Sequence, residues 1–247
     1  SEVVQLNFSG IFDFMVIPKQ NFYTVLVHET GNYENVFPPK ITQNFFKPFY
    51  YFKPTINIDG SGGHLKGYFS IYDINSRLYL SRNIWTINFP PQITDVRISL
   101  DDKTYNVDGD MQAFINTTKY HHHFHDNFLV LSYFYSSSTT SNFYLTYIDG
   151  KSGAILYEIS RRSSYGPSHV ILFGNYICAI YKNYINVNEL LVVETYKNSD
   201  SSEPIKFLRQ NYLLDMPTIT AFSVTKTRFG LTQQNLLLAI SGYIFAI

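Results

Sequence analysis

The stretch that decides the fold is Asn142-Phe-Tyr-Leu-Thr-Tyr-Ile-Asp149-Gly150-Lys151-Ser152-Gly153-Ala154-Ile-Leu-Tyr157-Glu-Ile-Ser160. Two runs of β-branched and aromatic residues, which favour strands, flank a short loop with two glycines. The glycines supply the positive φ angles that a tight hairpin needs, and the Asp149 carboxylate can bond amides of its own loop. Hairpins of this pattern build many β-propeller blades. We therefore assign Asp149, Gly150 and Gly153 to a structural blade hairpin.

Strand-like runs follow one another along the chain, with turn signals between them. No window of about 11 residues shows a sustained helical period, so the sequence predicts an all-β fold. Two-residue hairpin turns are predicted at Gly174-Asn175 and Ser241-Gly242. The predicted strands are Ile11–Ile17, Phe22–His28, Gly67–Ile74, Ile84–Phe89, Ile93–Leu100, Phe128–Tyr135, Phe143–Ile148, Ala154–Ile159, His169–Phe173, Tyr176–Tyr181, Leu190–Tyr196, Ile219–Thr225, Leu236–Ile240 and Tyr243–Ile247.

Hairpin signals recur along the chain, near Asp73–Arg77, at Asp149–Gly153 and at Ser241-Gly242. Their spacing, with weaker units between them, suits the period of roughly 40 residues of four-stranded propeller blades. The sequence thus predicts a partial β-propeller with WD40-like or quinoprotein-like blades. A pair of β-sandwiches would give a similar strand density and stays open as an alternative.

Composition excludes several classes of function. The 247 residues carry zero net charge and only 15% charged residues, so no basic field exists to attract nucleic acid. The single cysteine, Cys178, cannot form an internal disulfide and is predicted to be a buried apolar residue. No apolar run approaches the roughly 18 residues of a membrane span, and no signal-peptide pattern follows Ser1. Because the chain ends inside the apolar run Gly242–Ile247, we expect it to be a segment of a longer polypeptide.

A histidine run, His121-His122-His123-Phe124-His125-Asp126, is the first candidate for chemistry. On an extended strand, His121, His123 and His125 would share one face, and three imidazoles can bind zinc or copper. Strand positions i and i+2 are about 7 Å apart, however, which hinders convergence on one ion. No cysteine or separated His-Glu pair completes a metal pattern. We predict a polar loop or strand edge here and assign no metal site.

Three further motifs lack the partners that their chemistry needs. The segment Ser164–His169 has neither a nucleophile elbow nor an evident acid partner, so it is predicted to be a turn before a strand. The loop Asp59–Gly63 has no Lys-Ser/Thr pair and no following helix, and is predicted to be a flexible turn. The acidic residues Asp101, Asp102, Asp108 and Asp110 lack EF-hand spacing and indicate a solvated loop. We assign no catalytic or cofactor-binding residue.

Two remaining features concern packing and modification. Trp85, the only tryptophan, lies in a strand-like run and is assigned to blade packing rather than to ligand stacking. Asn7 and Asn116 each begin a glycosylation sequon and are candidate N-glycosylation sites. Because sequons are frequent in a chain rich in Asn, Ser and Thr, they do not establish the compartment.

A series of motifs in one order resembles a known family over roughly residues 68 to 247. The series consists of Tyr68–Ile74, Ile84–Pro91, Val107–Asp110, Asn127–Leu131, Ile148–Ile155, Gly166–Val170, Leu190–Glu194, Gln210–Leu214, Thr225–Thr232 and Leu236–Ile244. It is similar to the C-terminal part of the luminal region of the endoplasmic reticulum (ER) membrane protein complex subunit 1 family. The histidine run departs from that family.

The resemblance implies a function that is not enzymatic. It implies a luminal β-propeller scaffold in a complex that inserts tail-anchored and multipass proteins at the ER membrane. Its partners would be the other subunits and client membrane proteins, with no nucleic acid and no cofactor. Residues 1–247 would be a segment of a propeller region that continues beyond both ends, anchored in the membrane by a segment outside this chain.

Two alternatives belong to other classes of function. One is a quinoprotein-like propeller enzyme, which would need convergent carboxylates, a calcium ion and tryptophan stacking on the cofactor. One Trp and no clustered Asp and Glu argue against it. The other is a generic protein-binding or glycan-binding propeller of the secretory pathway.

Overall fold

The structure is a computed structural model in which all elements of the described residues are β-strands. It describes residues 13–17, 23–27, 32–37, 49–57, 59–75, 78–100, 128–137, 140–173, 175–197, 205–225, 235–240 and 242–247. No helix occurs within these residues, which confirms the all-β prediction. The strands are β1 (Asp13–Ile17), β2 (Tyr23–Val27), β3 (Asn32–Phe37), β4 (Phe49–Ile56), β5 (Gly63–Asp73), β6 (Leu78–Phe89), β7 (Ile93–Leu100), β8 (Phe128–Ser136), β9 (Ser141–Asp149), β10 (Ile155–Arg161), β11 (Tyr165–Phe173), β12 (Tyr176–Lys182), β13 (Asn188–Lys197), β14 (Ile205–Leu214), β15 (Ile219–Val224), β16 (Leu236–Ile240) and β17 (Tyr243–Ala246).

These strands form four sheets, numbered in chain order. Sheet 1 has the order β1-β2-β3-β6-β5-β4, sheet 2 β10-β9-β8-β7, sheet 3 β11-β12-β13-β14 and sheet 4 β15-β16-β17. In sheets 2, 3 and 4 each strand pairs antiparallel with the next strand along the chain. Successive antiparallel meanders, with four strands in sheets 2 and 3, are typical of propeller blades, and the fold is a partial β-propeller.

The chain divides into two compact units. The first unit comprises Ser1–Lys53 and Lys66–Trp85, and the second comprises Pro54–Leu65 and Thr86–Ile247. Sheets 2, 3 and 4 therefore lie entirely within the second unit.

The core of the second unit forms where neighbouring sheets face each other, and β12 shows how. Its residues Ile177, Ala179 and Tyr181 belong to the buried cluster shared by sheets 2 and 3. The intervening Cys178 and Ile180 belong to the cluster shared by sheets 3 and 4. Because side chains alternate between the two faces of a strand, a strand buried on both faces must be apolar throughout. This explains the unbroken apolar run from Tyr176 to Tyr181.

Several predicted boundaries were wrong. The strands β3, β4 and β14 were not predicted, and β6 begins at Leu78 rather than Ile84. The segment Ser164–His169 is not a turn before a strand, because β11 already begins at Tyr165. Sheet 2 also exceeds the expected period: it extends from Ile93 to Arg161, and residues 101–127, between β7 and β8, lie outside the described residues.

The thiol of Cys178 should be chemically silent in the folded protein. Cys178 is buried, which confirms its prediction, and burial raises the pKa of its thiol to about 12. Since the thiolate is the reactive species, we expect almost no reaction with a thiol reagent at pH 8 and rapid reaction in denaturant. Absorbance change with a chromogenic disulfide reagent measures both rates. Equal rates with and without denaturant would contradict this burial.

Candidate functional site

The hairpin Asp149–Gly153 joins β9 to β10. Lys151 N–H donates to Asp149 Oδ1 at 3.0 Å, and Ser152 Oγ donates to Asp149 Oδ2 at 2.7 Å. Gly153, at φ +75°, donates its N–H to the Asp149 carbonyl at 2.7 Å. Both carboxylate oxygens of Asp149 thus accept hydrogen bonds inside the loop, and Gly150 is buried within it. These hydrogen bonds stabilise the conformation of the loop itself.

Trp85 packs inside the first unit. Its ring stacks on Phe52 with the centroids 5.7 Å apart. Gly67 leaves room for the indole, because a Cβ at that position would lie 2.1 Å from Trp85 Cε2. Asn83 Nδ2 donates to the carbonyls of Gly67 and Trp85 at 3.1 Å each, which supports this close approach. The indole face thus contacts protein.

We call the first strand of each of sheets 2, 3 and 4 along the chain its inner strand and the last its outer strand. The inner strands of sheets 2 and 3, β7 and β11, meet at Asp95 and Ser168. Ser168 N–H and Ser168 Oγ both donate to Asp95 Oδ2, the hydroxyl at 2.9 Å. Arg97 Nε donates to the other oxygen, Asp95 Oδ1, at 2.8 Å. The expectation that Ser168 has no acid partner was therefore wrong: its partner lies 73 residues away on β7.

The strand β11 makes two further contacts with neighbouring sheets. Ser99 Oγ accepts from Leu172 N–H at 2.9 Å, so side chains of β7 satisfy two amides on the inner edge of β11. His169 Nε2 lies 3.1 Å from the Ile219 carbonyl at the start of β15. Side chains of β7 thus bond backbone groups at the edge of β11, and a side chain of β11 lies against the start of β15, which blocks pairing of these backbone groups with other chains. With His169 so placed, the Ser168–Asp95 pair is arranged as a structural clamp rather than as a nucleophile and base.

A second polar network joins the outer strands of sheets 2 and 3. Tyr181 OH and Asn211 Nδ2 both donate to Glu189 Oε1 at 2.7 Å. Arg161 Nη2 of β10 donates to Asn211 Oδ1 at 3.3 Å. Burial, followed by the Glu189 carboxylate, raises the pKa of Tyr181 above its usual range. The network therefore keeps a neutral tyrosine, a carboxylate, an amide and a guanidinium in complementary contact across two blades.

Raised tyrosine pKa values make the fold sensitive to alkali. Burial is the main cause that raises the pKa of Tyr133, and also that of Tyr176, to about 12 in each case, against 10.0 unperturbed. The folded state therefore retains these protons at a pH where the unfolded chain loses them, so their contribution is complete below pH 10 and falls as pH rises to about 12. We expect the urea concentration at the unfolding midpoint to be lower at pH 11 than at pH 9 (about one unit on either side of the reference value). The decrease should be smaller in the double variant Tyr133→Phe, Tyr176→Phe. Equal losses in both proteins would contradict this assignment.

The glycine-rich loop Asp59–Gly63 is a bonded turn rather than the flexible turn expected. Ser61 N–H donates to Asp59 Oδ1 at 2.9 Å, and the bonds from Ser61 lower the pKa of the Asp59 carboxyl. Gln92 N–H donates to the Gly60 carbonyl at 2.9 Å, which ties the turn to the start of β7. The carbonyls of Phe89 and Pro90 lie against Gly62, so the loop has no open anion cradle at this glycine.

The remaining predicted sites lie outside the described residues. These are Asn7, Asn116, the run His121, His122, His123 and His125, and the acidic residues Asp101, Asp102, Asp108 and Asp110. Within the part of the chain that the structure describes, no group of three or more His, Cys, Asp or Glu residues is placed to hold a metal ion. The same part contains no helix long and apolar enough to cross a membrane.

Exposed large apolar side chains occur on all four sheets, and one set of them lies on outer strands and turns of sheets 3 and 4. Large exposed members of this set are Tyr184, Ile185, Leu208, Tyr212, Leu213, Tyr243, Ile244, Phe245 and Ile247. Tyr184 and Ile185 stand on a turn that Asn183 holds, since Asn183 Oδ1 accepts from the amides of Ile185 and Val187 at 3.2 and 3.1 Å. Apolar groups grouped on ordered backbone are typical of surfaces that bind other proteins. Sequence patterns alone did not single out these residues.

Together these features define a β-propeller protein whose polar side chains bond blade to blade. Residues 3–247 match the family model described as "ER membrane protein complex subunit 1, second beta-propeller". The chain therefore belongs to the ER membrane protein complex subunit 1 family, which confirms the resemblance seen in its motifs. Membership makes it part of a subunit of a complex of the ER membrane.

Proposed function

We propose that this propeller is a non-enzymatic scaffold of the ER membrane protein complex, which supports insertion of tail-anchored and multipass membrane proteins. The observation that carries the proposal is the family match over residues 3–247. In this proposal the propeller is a segment of a longer propeller region on the luminal side. It contacts other subunits and client proteins, and a segment outside this chain anchors it.

The geometry supports scaffolding over catalysis. The carboxylates of Asp95, Asp149 and Glu189 accept hydrogen bonds from the protein's own amides, hydroxyls and amide side chains. A quinoprotein-like site would need a tryptophan face free for the cofactor, whereas Trp85 stacks on Phe52 over Gly67. Rigid blades that present Tyr and Ile side chains suit protein binding, because little conformational entropy is lost on contact.

An insertion assay tests this role. Cells depleted of the endogenous subunit would be rescued with the full-length protein, and a tail-anchored reporter with a C-terminal glycosylation site would report insertion. We expect wild type and Gly60→Ala to restore insertion, and Gly62→Ala, which should strongly destabilise the second unit, to restore much less. Normal insertion in depleted cells, or full rescue by a Gly62→Ala protein that is shown to be unfolded at the assay temperature, would contradict the proposal.

A protease experiment tests the side of the membrane. In sealed ER vesicles, the luminal placement predicts that epitopes of this propeller survive added protease until detergent opens the vesicles. A protein exposed on the outer, cytosolic face of the same vesicles serves as the digestion control. Digestion of the propeller in intact vesicles would contradict the luminal assignment.

A further inference from the structure

One end of sheet 3 carries exposed apolar side chains on and beside three short connections. These connections are residues 162–164, 183–187 and 215–218, and the structure describes every residue of them. The ladders of sheet 3 end here with three pairs, which are Tyr165 with Lys182, Lys182 with Asn188, and Asn188 with Leu214. The exposed side chains are Tyr165 (45%), Tyr184 (72%), Ile185 (55%) and Leu213 (65%). We call this end of sheet 3 the exposed rim.

The turn between β12 and β13, residues 183–187, lies beyond the last of these pairs and bonds its own backbone. Asn183 N–H donates to the Val187 carbonyl, and Asn186 N–H donates to the Asn183 carbonyl, each at 2.9 Å. With the two amides that bond Asn183 Oδ1, four amides of the turn are bonded inside it. A backbone donor that is already bonded loses little on leaving water, so this turn can enter an apolar medium at low cost.

The rim is positively charged beside this turn. Lys182 directly precedes the turn, and Arg162 lies on the connection between β10 and β11. Among the described residues, neither side chain has a hydrogen-bond or ion-pair partner. The turn itself contains no acid, and Glu189, the next acid along the chain, already accepts two hydrogen bonds. Asp215 is the one carboxylate on the three connections, so two unpaired cations lie near the apolar tip.

We propose that the exposed rim contacts the lipid bilayer, with Tyr184 and Ile185 in the headgroup region and Lys182 and Arg162 at lipid phosphates. Tyrosine concentrates at membrane interfaces because its ring is apolar and its hydroxyl polar, and cations are attracted to phosphate. The family match makes the chain part of a complex of the ER membrane, so the assembly includes a bilayer surface. A turn bonded to itself offers a second polypeptide few backbone groups, whereas a bilayer needs none. The inference rests on the family match and goes beyond the scaffold role.

Photocrosslinking in native ER membranes tests this contact. Two side chains bind a bilayer only weakly by themselves, so the contact is expected where the assembled complex holds the rim near the membrane. A benzoylphenylalanine would replace Tyr184 in the full-length protein, and mass spectrometry would identify the adducts on its peptide after irradiation. We expect phospholipid adducts at Tyr184. The control position is Ile155, which is exposed at the opposite end of β10 and should give none.

Three results of this experiment would overturn the proposal. They are adducts at Tyr184 with protein only, whether another subunit, a second copy or the same polypeptide; no adduct at all; and equal lipid adducts at Tyr184 and Ile155. If the complex still co-purifies in these cases, the scaffold role stands without the bilayer contact. Failure to co-purify contradicts the scaffold role instead.

A charge variant tests the phosphate contact independently. The complex with the probe at Tyr184 would be reconstituted in vesicles of phosphatidylcholine and phosphatidylserine. Lys182→Gln removes one cation from the rim and should lower the yield of lipid adducts about fivefold. Lys151→Gln removes an exposed cation from the hairpin at the opposite end of sheet 2 and should leave the yield unchanged. Equal yields in the two variants would contradict the contact of Lys182 with lipid phosphate.

Discussion

Replacing Gly62 by alanine is expected to destabilise the second unit by about 3 kcal/mol or more. Gly62 has φ +103°, a conformation that residues with a Cβ rarely adopt. A Cβ there would lie 2.6 Å from the Phe89 carbonyl oxygen and 2.9 Å from that of Pro90. Both are backbone atoms next to β7, so neither can rotate away. Urea unfolding followed by circular dichroism measures the loss.

Gly60 supplies the matched control in the same loop. It also has positive φ, +73°, but nothing lies within 4 Å of the position that a Cβ would take there. Gly60→Ala should therefore cost only the conformational strain, about 1 kcal/mol. Equal losses in the two variants would show that the contact with the Phe89 and Pro90 carbonyls does not limit the fold.

Asp95→Ala is expected to cost about 2–4 kcal/mol. The substitution leaves the buried Ser168 amide without its acceptor and the Ser168 hydroxyl with only Ser132 Oγ at 3.4 Å, and it removes the ion pair of Arg97. Asp95 also has φ +51°, which Asp and Asn tolerate better than Ala does. Exchange of the Ser168 amide should accelerate together with the loss of stability. Urea unfolding and hydrogen exchange measure the two effects.

Asp59→Ala is the control for the Asp95 variant. The Asp59 carboxylate bonds Ser61 within its own exposed turn, so its loss should destabilise the protein much less than the loss of Asp95. If Asp95→Ala is no more destabilising than Asp59→Ala, the bond between β7 and β11 does not hold the blades together.

The sequence predicted those strands in which burial determines the order of apolar and polar residues. β7 was predicted with the bounds that the structure has, Ile93–Leu100, and the apolar run of β12 was recognised because both of its faces are buried. β14 was missed because its centre, Arg209-Gln210-Asn211, is polar and exposed on an outer strand. An outer strand gains its order from ladder bonds to β13, which leave no periodic signal in the sequence.

The contacts between blades could not be predicted from the chain alone. Asp95 and Ser168 meet only because β7 and β11 are adjacent inner strands, and both strands have a register irregularity near these residues. Such features follow from tertiary pairing, to which a single sequence gives no direct access.

The native assembly state of the full-length protein tests its place in the complex most directly. It would be purified through an affinity tag from ER membranes in mild detergent, and its native mass and composition would be measured. We expect stoichiometric co-elution with the other subunits of the ER membrane protein complex. A clean soluble monomer without them would contradict this expectation.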